Sequence, residues 1–308
     1  MRKELYFIIT TLIVGIITAL PNDKIVFETD SPKIPSKSHE DISNFESKLP
    51  SKDACGKRKA PSFRIAGGID SDLGVWPWMV ALGYQTKNDV NGSLQWMCGG
   101  TLISKHHALT TGHCVVSRGN IILKIARLGD MNLDPSIVDW VTPLDVPIER
   151  VILHKEYNSM SIINDIGLVI LKNDITFTTF IQPICLPLSP VLKNDIGNNL
   201  PFVAGWGTTE NGGKQSSSLK QVQIPIIDME YCKWLFYDNK RIVMDYRNIC
   251  AGETGKDSCS GDSGSPLMWL KEKKFYLIGI SSHGKGCADN PGLYTNVSSH
   301  IDWILENI

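Results

Sequence analysis

Three short segments, far apart in the chain, hold the residue types that nucleophilic acyl transfer requires: Thr111-Gly112-His113-Cys114, Asn164-Asp165-Ile166-Gly167-Leu168 and Gly261-Asp262-Ser263-Gly264-Ser265-Pro266. A serine hydroxyl is a poor nucleophile at neutral pH, so a base has to take its proton as it attacks. An imidazole such as His113 suits that role when a buried carboxylate such as Asp165 holds it in the right tautomer. Glycines beside Ser263 let backbone amides approach the oxyanion that develops on the attacked carbonyl. Each piece alone is weak, because a lone histidine is more often structural and a serine between glycines is usually a turn. Together, the order His, Asp, Ser and the neighbouring Cys114 and Cys259 are hard to obtain by coincidence. His106, His107, His154 and His300 lack such a context and read as surface or packing residues.

These residues must be carried by a fold, and 308 residues with 42% hydrophobic content are enough for a packed core. From Ile65 to Ile308 short β-rich runs are broken by Gly, Pro, Asn and Asp. The runs are Trp78 to Tyr84, Gly100 to Ile103, Ala108 to Thr110, Ile121 to Leu128, Gly167 to Leu171, Leu200 to Ala204 and Phe275 to Ser281. Many short strands at such spacing predict an all-β barrel or sandwich. One helix is predicted, at the chain end, where Val297, Ile301, Ile304 and Ile308 recur at helical spacing with Ser298 as a cap. The formal net charge of -1 gives no extended basic face, which excludes nucleic-acid binding.

At the other end, Arg2 and Lys3 precede an apolar run from Leu5 to Leu20, closed by Pro21. This is the layout of a secretory signal peptide over residues 1–20, with an N-terminal membrane anchor as the alternative. At about 16 apolar residues the run is short of the roughly 20 that span a bilayer, which favours cleavage and an extracellular product without stable membrane insertion. Residues 21–64 are rich in Ser, Pro, Lys, Asp and Glu and are expected to be disordered, ending in Lys57, Arg58, Lys59 and then Phe63-Arg64. A flexible basic segment is a ready substrate for proteases that cut after Lys or Arg. The eight cysteines are even in number, and in an exported chain they should be paired. No C-x-x-C pair occurs, which argues against a metal site built from them.

The motifs resemble the chymotrypsin family, over essentially all of Ile65 to Ile308. The resemblance rests on Ile65-Ala66-Gly67-Gly68, Trp76-Pro77-Trp78, Cys98-Gly99-Gly100-Thr101-Leu102-Ile103, Gly205-Trp206-Gly207-Thr208 and Pro291-Gly292-Leu293-Tyr294-Thr295-Asn296-Val297, besides the three segments above. It implies two packed antiparallel β-barrels with the active site between them, the first carrying His113 and Asp165 and the second Ser263. By the same resemblance His113 is general base and then general acid, Asp165 orients it, and Ser263 is acylated. The amides of Gly261 and Ser263 would form the oxyanion hole, Ser282 would hydrogen-bond Asp165, and Ser282 to Gly284 would pair with the substrate backbone. Asp257 matches the floor of a pocket that selects Arg or Lys, with Gly284 and Gly292 as its walls. The disulfides implied are Cys98 with Cys114, Cys232 with Cys250, Cys259 with Cys287 and Cys55 with Cys185. A further bridge common in relatives is replaced by Pro201 and Trp269.

The resemblance also implies a switch. Cleavage after Arg64 would free Ile65 to pair with Asp262, converting an inactive precursor into an enzyme over residues 65–308 with residues 21–64 as a tethered light chain. Implied partners are substrates with Arg or Lys at the cleaved bond, an activating trypsin-like protease and serpin-like inhibitors. The chain is similar to arthropod haemolymph or venom proteases of the clotting and defence type, without the clip module many of them carry. The alternative is a catalytically silent homologue that acts as a binding or cofactor protein; such homologues normally lack a triad member, and this chain has all three. Departures from the family pattern are Ala66, Thr111-Gly112, Ser265 and His283, and none removes a catalytic group. The sequons at Asn91 and Asn296 are candidate glycosylation sites. No cofactor is expected; a calcium ion in the loop after Gly129 would fall to Asp130, Asp134 and Asp139, whose spacing departs from trypsin's.

Overall fold

A computed structural model describes residues 48–58, 69–89, 92–117, 119–137, 141–188, 200–256, 258–287 and 289–308. All lie in the larger of the chain's two compact units, Ser38–Ile308. The signal peptide, most of residues 21–64, Arg64, Ile65, Asn91, Asp139 and Asp257 lie outside the described residues.

Strands β2 (Met79–Thr86), β3 (Gln95–Leu102), β4 (His107–Thr110), β5 (Ile121–Leu128), β6 (Leu144–Leu153) and β7 (Gly167–Leu171) close into an antiparallel barrel in the order β2-β3-β4-β7-β6-β5. The register sets Val80 opposite Leu128 and Leu109 opposite Leu168, so that alternate residues fill the barrel interior. A four-residue helix, α1 (Gly112–Val115), follows β4.

The second half is an open eight-stranded antiparallel sheet, forming a half-barrel. It comprises β1 (Ile69–Asp70), β8 (Phe202–Gly205), β9 (Lys220–Gln223), β10 (Ile226–Ile227), β11 (Asn248–Ala251), β12 (Pro266–Lys271), β13 (Lys274–His283) and β14 (Gly292–Asn296). Its order is β1-β9-β8-β12-β13-β14-β11-β10. Helix α2 (Met229–Leu235) follows β10, and a 3-10 turn (Val297–His300) leads into the terminal helix α3 (Ile301–Asn307). The expected all-β fold of two barrels with a C-terminal helix is therefore present, one barrel closed and the other half-closed. Ser298 is not the cap that the sequence suggests: its amide donates to the Asn296 side chain, which caps the 3-10 turn.

The two halves meet on aromatic rings. Trp76 lies 5.1 Å from Phe275 in an edge-on arrangement and 5.2 Å from Phe202. Each indole finds a polar partner across the seam: Trp76 Nε1 donates to Gln221 Oε1 at 2.7 Å, and Trp78 Nε1 to Met268 Sδ at 2.9 Å. Trp78 is wholly buried, so its truncation to alanine would cost about 3–5 kcal/mol. This one core joins residues of both halves, from Val80 and Leu102 to Met268 and Leu277. A second cluster fills the half-barrel, and Trp269 occupies the site of the absent bridge there, packed with Val203, Leu267 and Ile278. The rigid seam fixes the edges of the two halves relative to each other, and the polar cleft opens along it.

Candidate active site

His113 lies on α1, whose sequence neighbour Cys114 is bonded to Cys98 of β3 with Cα atoms 6.2 Å apart. The short helix is thereby tied to the barrel wall. Asp165 sits in the tight loop ahead of β7, after Asn164, which adopts a left-handed φ of 51°. The imidazole Nδ1 is 2.8 Å from Asp165 Oδ2, and the His113 amide donates to Asp165 Oδ1 at 2.9 Å. Ser282 Oγ donates to the same Oδ2 at 2.6 Å, and Thr295 Oγ1 donates to the Asp165 carbonyl at 2.7 Å. Asp165 is 1% exposed. Burial works against the charged carboxylate, but the bonds and charge of His113 and the hydroxyl of Ser282 outweigh it and hold the carboxyl below its ordinary range. Gly112 allows this approach, since a Cβ there would stand 3.2 Å from Asp165 Oδ1.

Ser263 lies in the turn before β12 and lines one cleft with His113, Asp165, Ser282 and His283. The turn is pinned to the first barrel and to its own sheet: Gly99 N donates to Ser263 O, and Gly264 N to Ser281 O, both at 2.8 Å. Gly264, at φ +85°, cannot carry a side chain, because a Cβ would run into Thr110 Oγ1 and the Gly99 carbonyl. The amides of Asp262 and Ser265 donate to Cys259 O and Asp262 O. Those of Gly261 and Ser263 donate to no group among the described residues, which leaves two N–H groups beside the Ser263 hydroxyl for a developing oxyanion. A hydroxyl, an imidazole and a buried carboxylate on one cleft, with unengaged amides in the turn that carries the hydroxyl, are the parts of an acyl-transfer site.

A family model described as Trypsin matches residues 65–304. The chain is 39% identical over 266 residues to the proclotting enzyme of Tachypleus tridentatus, covering 83% of this chain and 69% of that one. It is 40% identical over 244 residues to a venom protease of Bombus pensylvanicus, covering 77% and 96%. Phenoloxidase-activating factor 3 of Holotrichia diomphalia is 40% identical over 282 residues, covering 86% and 77%. The chain belongs to the trypsin family of serine proteases.

The cysteines of this trypsin-family chain form four disulfides, Cys55–Cys185, Cys98–Cys114, Cys232–Cys250 and Cys259–Cys287. His113, Cys98 and Cys114 are close enough to suggest a metal cluster, but the two sulfurs are bonded to each other and cannot ligate. Asp130 pairs with Arg127 Nη1 at 3.3 Å, and Asp134 accepts from Ser136 N and Oγ. Asp139, the third candidate for a calcium ion, lies outside the described residues. Gly284 directly follows β13 and Gly292 opens β14, beside the cleft strand. Asn296 is half-buried, and its amide donates to Tyr246 O at 2.8 Å.

Asp262 is buried, accepting from Gly207 N at 2.8 Å and Cys259 N at 2.9 Å. Gly205 and Gly207 make room for it, since a Cβ on either would collide with the carboxylate. No cationic group pairs with it among the described residues, and burial pushes its carboxyl up to about 6. A cavity of about 220 Å³ lies against it, lined also by Gly205, Gly207 and Ser258.

Several contributors escape sequence reasoning. His300, read as a surface or packing residue, is buried and packs behind the triad: its Nε2 lies 3.2 Å from Asn164 Oδ1 and its Nδ1 2.8 Å from Asn296 O. Thr295 is anonymous within a strand motif until β14 is seen to pass beneath Asp165.

Proposed function

We propose that the protein is a secreted serine endopeptidase that cleaves after Arg or Lys, made as a precursor and activated by cleavage after Arg64. The observation that carries the reading is the continuous chain Ser282–Asp165–His113 on the cleft that Ser263 lines. In this reading Ser263 Oγ attacks the scissile carbonyl while His113 takes its proton. The tetrahedral oxyanion faces the amides of Gly261 and Ser263. His113 then returns the proton to the leaving amine, and water repeats the sequence to release the acyl group from Ser263. Throughout, Asp165 holds Nδ1 protonated and Nε2 free to act.

Asp257, with glycines at 284 and 292, supplies the cation preference, and the cavity beside Asp262 receives the new ammonium of Ile65. An ammonium there would neutralise a buried carboxylate that among the described residues is met by two amides. Residues 1–20 direct export, residues 21–64 remain as a light chain held through Cys55–Cys185, and residues 65–308 form the peptidase domain. The names of the relatives, a proclotting enzyme and a phenoloxidase-activating factor among them, favour limited cleavage within an extracellular cascade, with an activating protease upstream and serpin-like inhibitors.

The test is turnover of Arg-, Lys- and Phe-amide substrates by protein treated with trypsin, alongside Ser263→Ala, Asp257→Ser and Arg64→Gln. Only the wild type should cut the Arg and Lys substrates strongly. Equal turnover of Phe, or full activity of uncut Arg64→Gln, refutes the assignment.

A further inference from the structure

Beyond His113 and Ser263 the cleft continues over His283 to a wall formed by Met160, Ile162, Asn239 and Arg241, enclosing about 490 Å³. Met160 and Ile162 come from the loop between β6 and β7, Asn239 and Arg241 from the loop between α2 and β11, and the second loop is fixed on both sides. Toward β13, the Phe236 ring lies 6.2 Å from the His283 ring. Lys285 Nζ donates to Leu235 O at 3.3 Å and to Asp238 Oδ2 at 2.7 Å. On the opposite side Val243 N donates to Ser161 O at 3.0 Å, and Cys232–Cys250 closes the base of the loop. Arg241 is thus presented to the cleft by a held loop.

The charges around it do not cancel. Asp238 is paired with Lys285, and Asp165 is buried and engaged by His113 and Ser282. Among the described residues Arg241 has no acidic partner, and Lys240 precedes it. The open end of the cleft therefore combines an exposed guanidinium with the apolar side chains of Met160 and Ile162. Resting on the proposed cleavage after Arg or Lys, we infer that Arg241 selects substrates with an Asp or Glu at the second, third or fourth residue before the cleaved bond. A substrate strand laid along Ser282 to Gly284 passes this wall with its residues ahead of the cleaved bond. A guanidinium can take a carboxylate there through two parallel hydrogen bonds, whereas it repels Lys and leaves a neutral side chain unrewarded.

The experiment uses the full chain after trypsin activation and peptide amides ending in Arg, with Glu, Gln or Lys placed in turn at each of the three positions. The readout is the ratio of kcat/KM for Glu against Gln within each enzyme, which is independent of the active fraction. For an exposed pair in a cleft the wild type should show a ratio of about five at one position, shrinking as salt rises from about 0.05 to 0.5 M. Arg241→Gln should bring the ratio to about one, and Arg241→Glu should favour Lys instead. A wild-type ratio near one at all three positions, or an unchanged ratio in Arg241→Glu, overturns the role of Arg241 while leaving cleavage after Arg intact. Failure to cut any of the Arg peptides overturns the primary reading as well.

Discussion

The buried carboxyl of Asp262 makes the uncut chain sensitive to pH in a calculable way. Burial raises its pKa from 3.8 to about 6, against the smaller opposing effect of the Cys259 and Gly207 amides. The folded uncut chain therefore binds this proton more tightly than the unfolded chain does. The resulting stabilisation is complete below 3.8 and is lost as pH rises through about 6. Each pH unit within that window removes about 1.4 kcal/mol, so acid and neutral solution differ by about 3 kcal/mol from this group alone. Asp262→Asn removes the titration and leaves the other acids in place. Urea unfolding of the uncut chain and of this variant, disulfides intact, should give curves whose difference changes by about 3 kcal/mol between about pH 3.5 and 7.5. After cleavage at Arg64 the change should shrink, because an ammonium beside Asp262 draws its pKa back down. Parallel pH profiles for uncut wild type and Asp262→Asn would refute the reasoning.

Removing the Ser282 hydroxyl takes one donor from a buried carboxylate, so Ser282→Ala should lower kcat/KM on an Arg amide about tenfold, or roughly 1.5 kcal/mol; an unchanged value would detach Ser282 from the mechanism. Thr111 Oγ1 is buried without a hydrogen-bond partner among the described residues, so the isosteric Thr111→Val should raise the unfolding free energy by about 1 kcal/mol in urea titrations, and a loss of stability would contradict this. Because Cys55 is bonded to Cys185, material cut after Arg64 should run as one band on a non-reducing gel and two on a reducing gel. Release of the light chain without reductant would contradict that bridge.

The strand at Gly167–Leu171 coincides with its apolar run because both faces are buried, and that at Ile121–Leu128 coincides although only Ala126 and Leu128 in it are buried and most of the rest is half-buried. Strand β6 was not legible: Pro147, Glu149 and Arg150 interrupt its pattern, and most of its residues are exposed or half-buried. Helix α2 was missed for a related reason, since only Cys232 is buried in it, while Tyr231 and Trp234 stack on its outer face. Its one local signal was Asp228, whose side chain caps the Glu230 and Tyr231 amides. At the site, the triad positions were legible because their neighbours are short and distinctive. The residues behind it were not, because Thr295 and His300 act through tertiary placement that no local pattern encodes.

Strand β1 has only two residues, yet it fastens the chain close to the proposed cleavage point. Ile69 and Asp70 pair with Gln221 and Lys220 of β9, and Lys220 Nζ holds Asp70 Oδ1 at 2.7 Å. From Ile65 to this anchor the chain advances four residues, a leash of at most about 14 Å. An amine confined to a sphere of that radius has an effective concentration on the order of 0.1 M. A free dipeptide carrying the same terminus would have to be supplied at such a level to compete. Once cut, the enzyme would therefore stay switched on however far it is diluted, and a lengthened leash would erode that advantage even if every contact around Asp262 were kept.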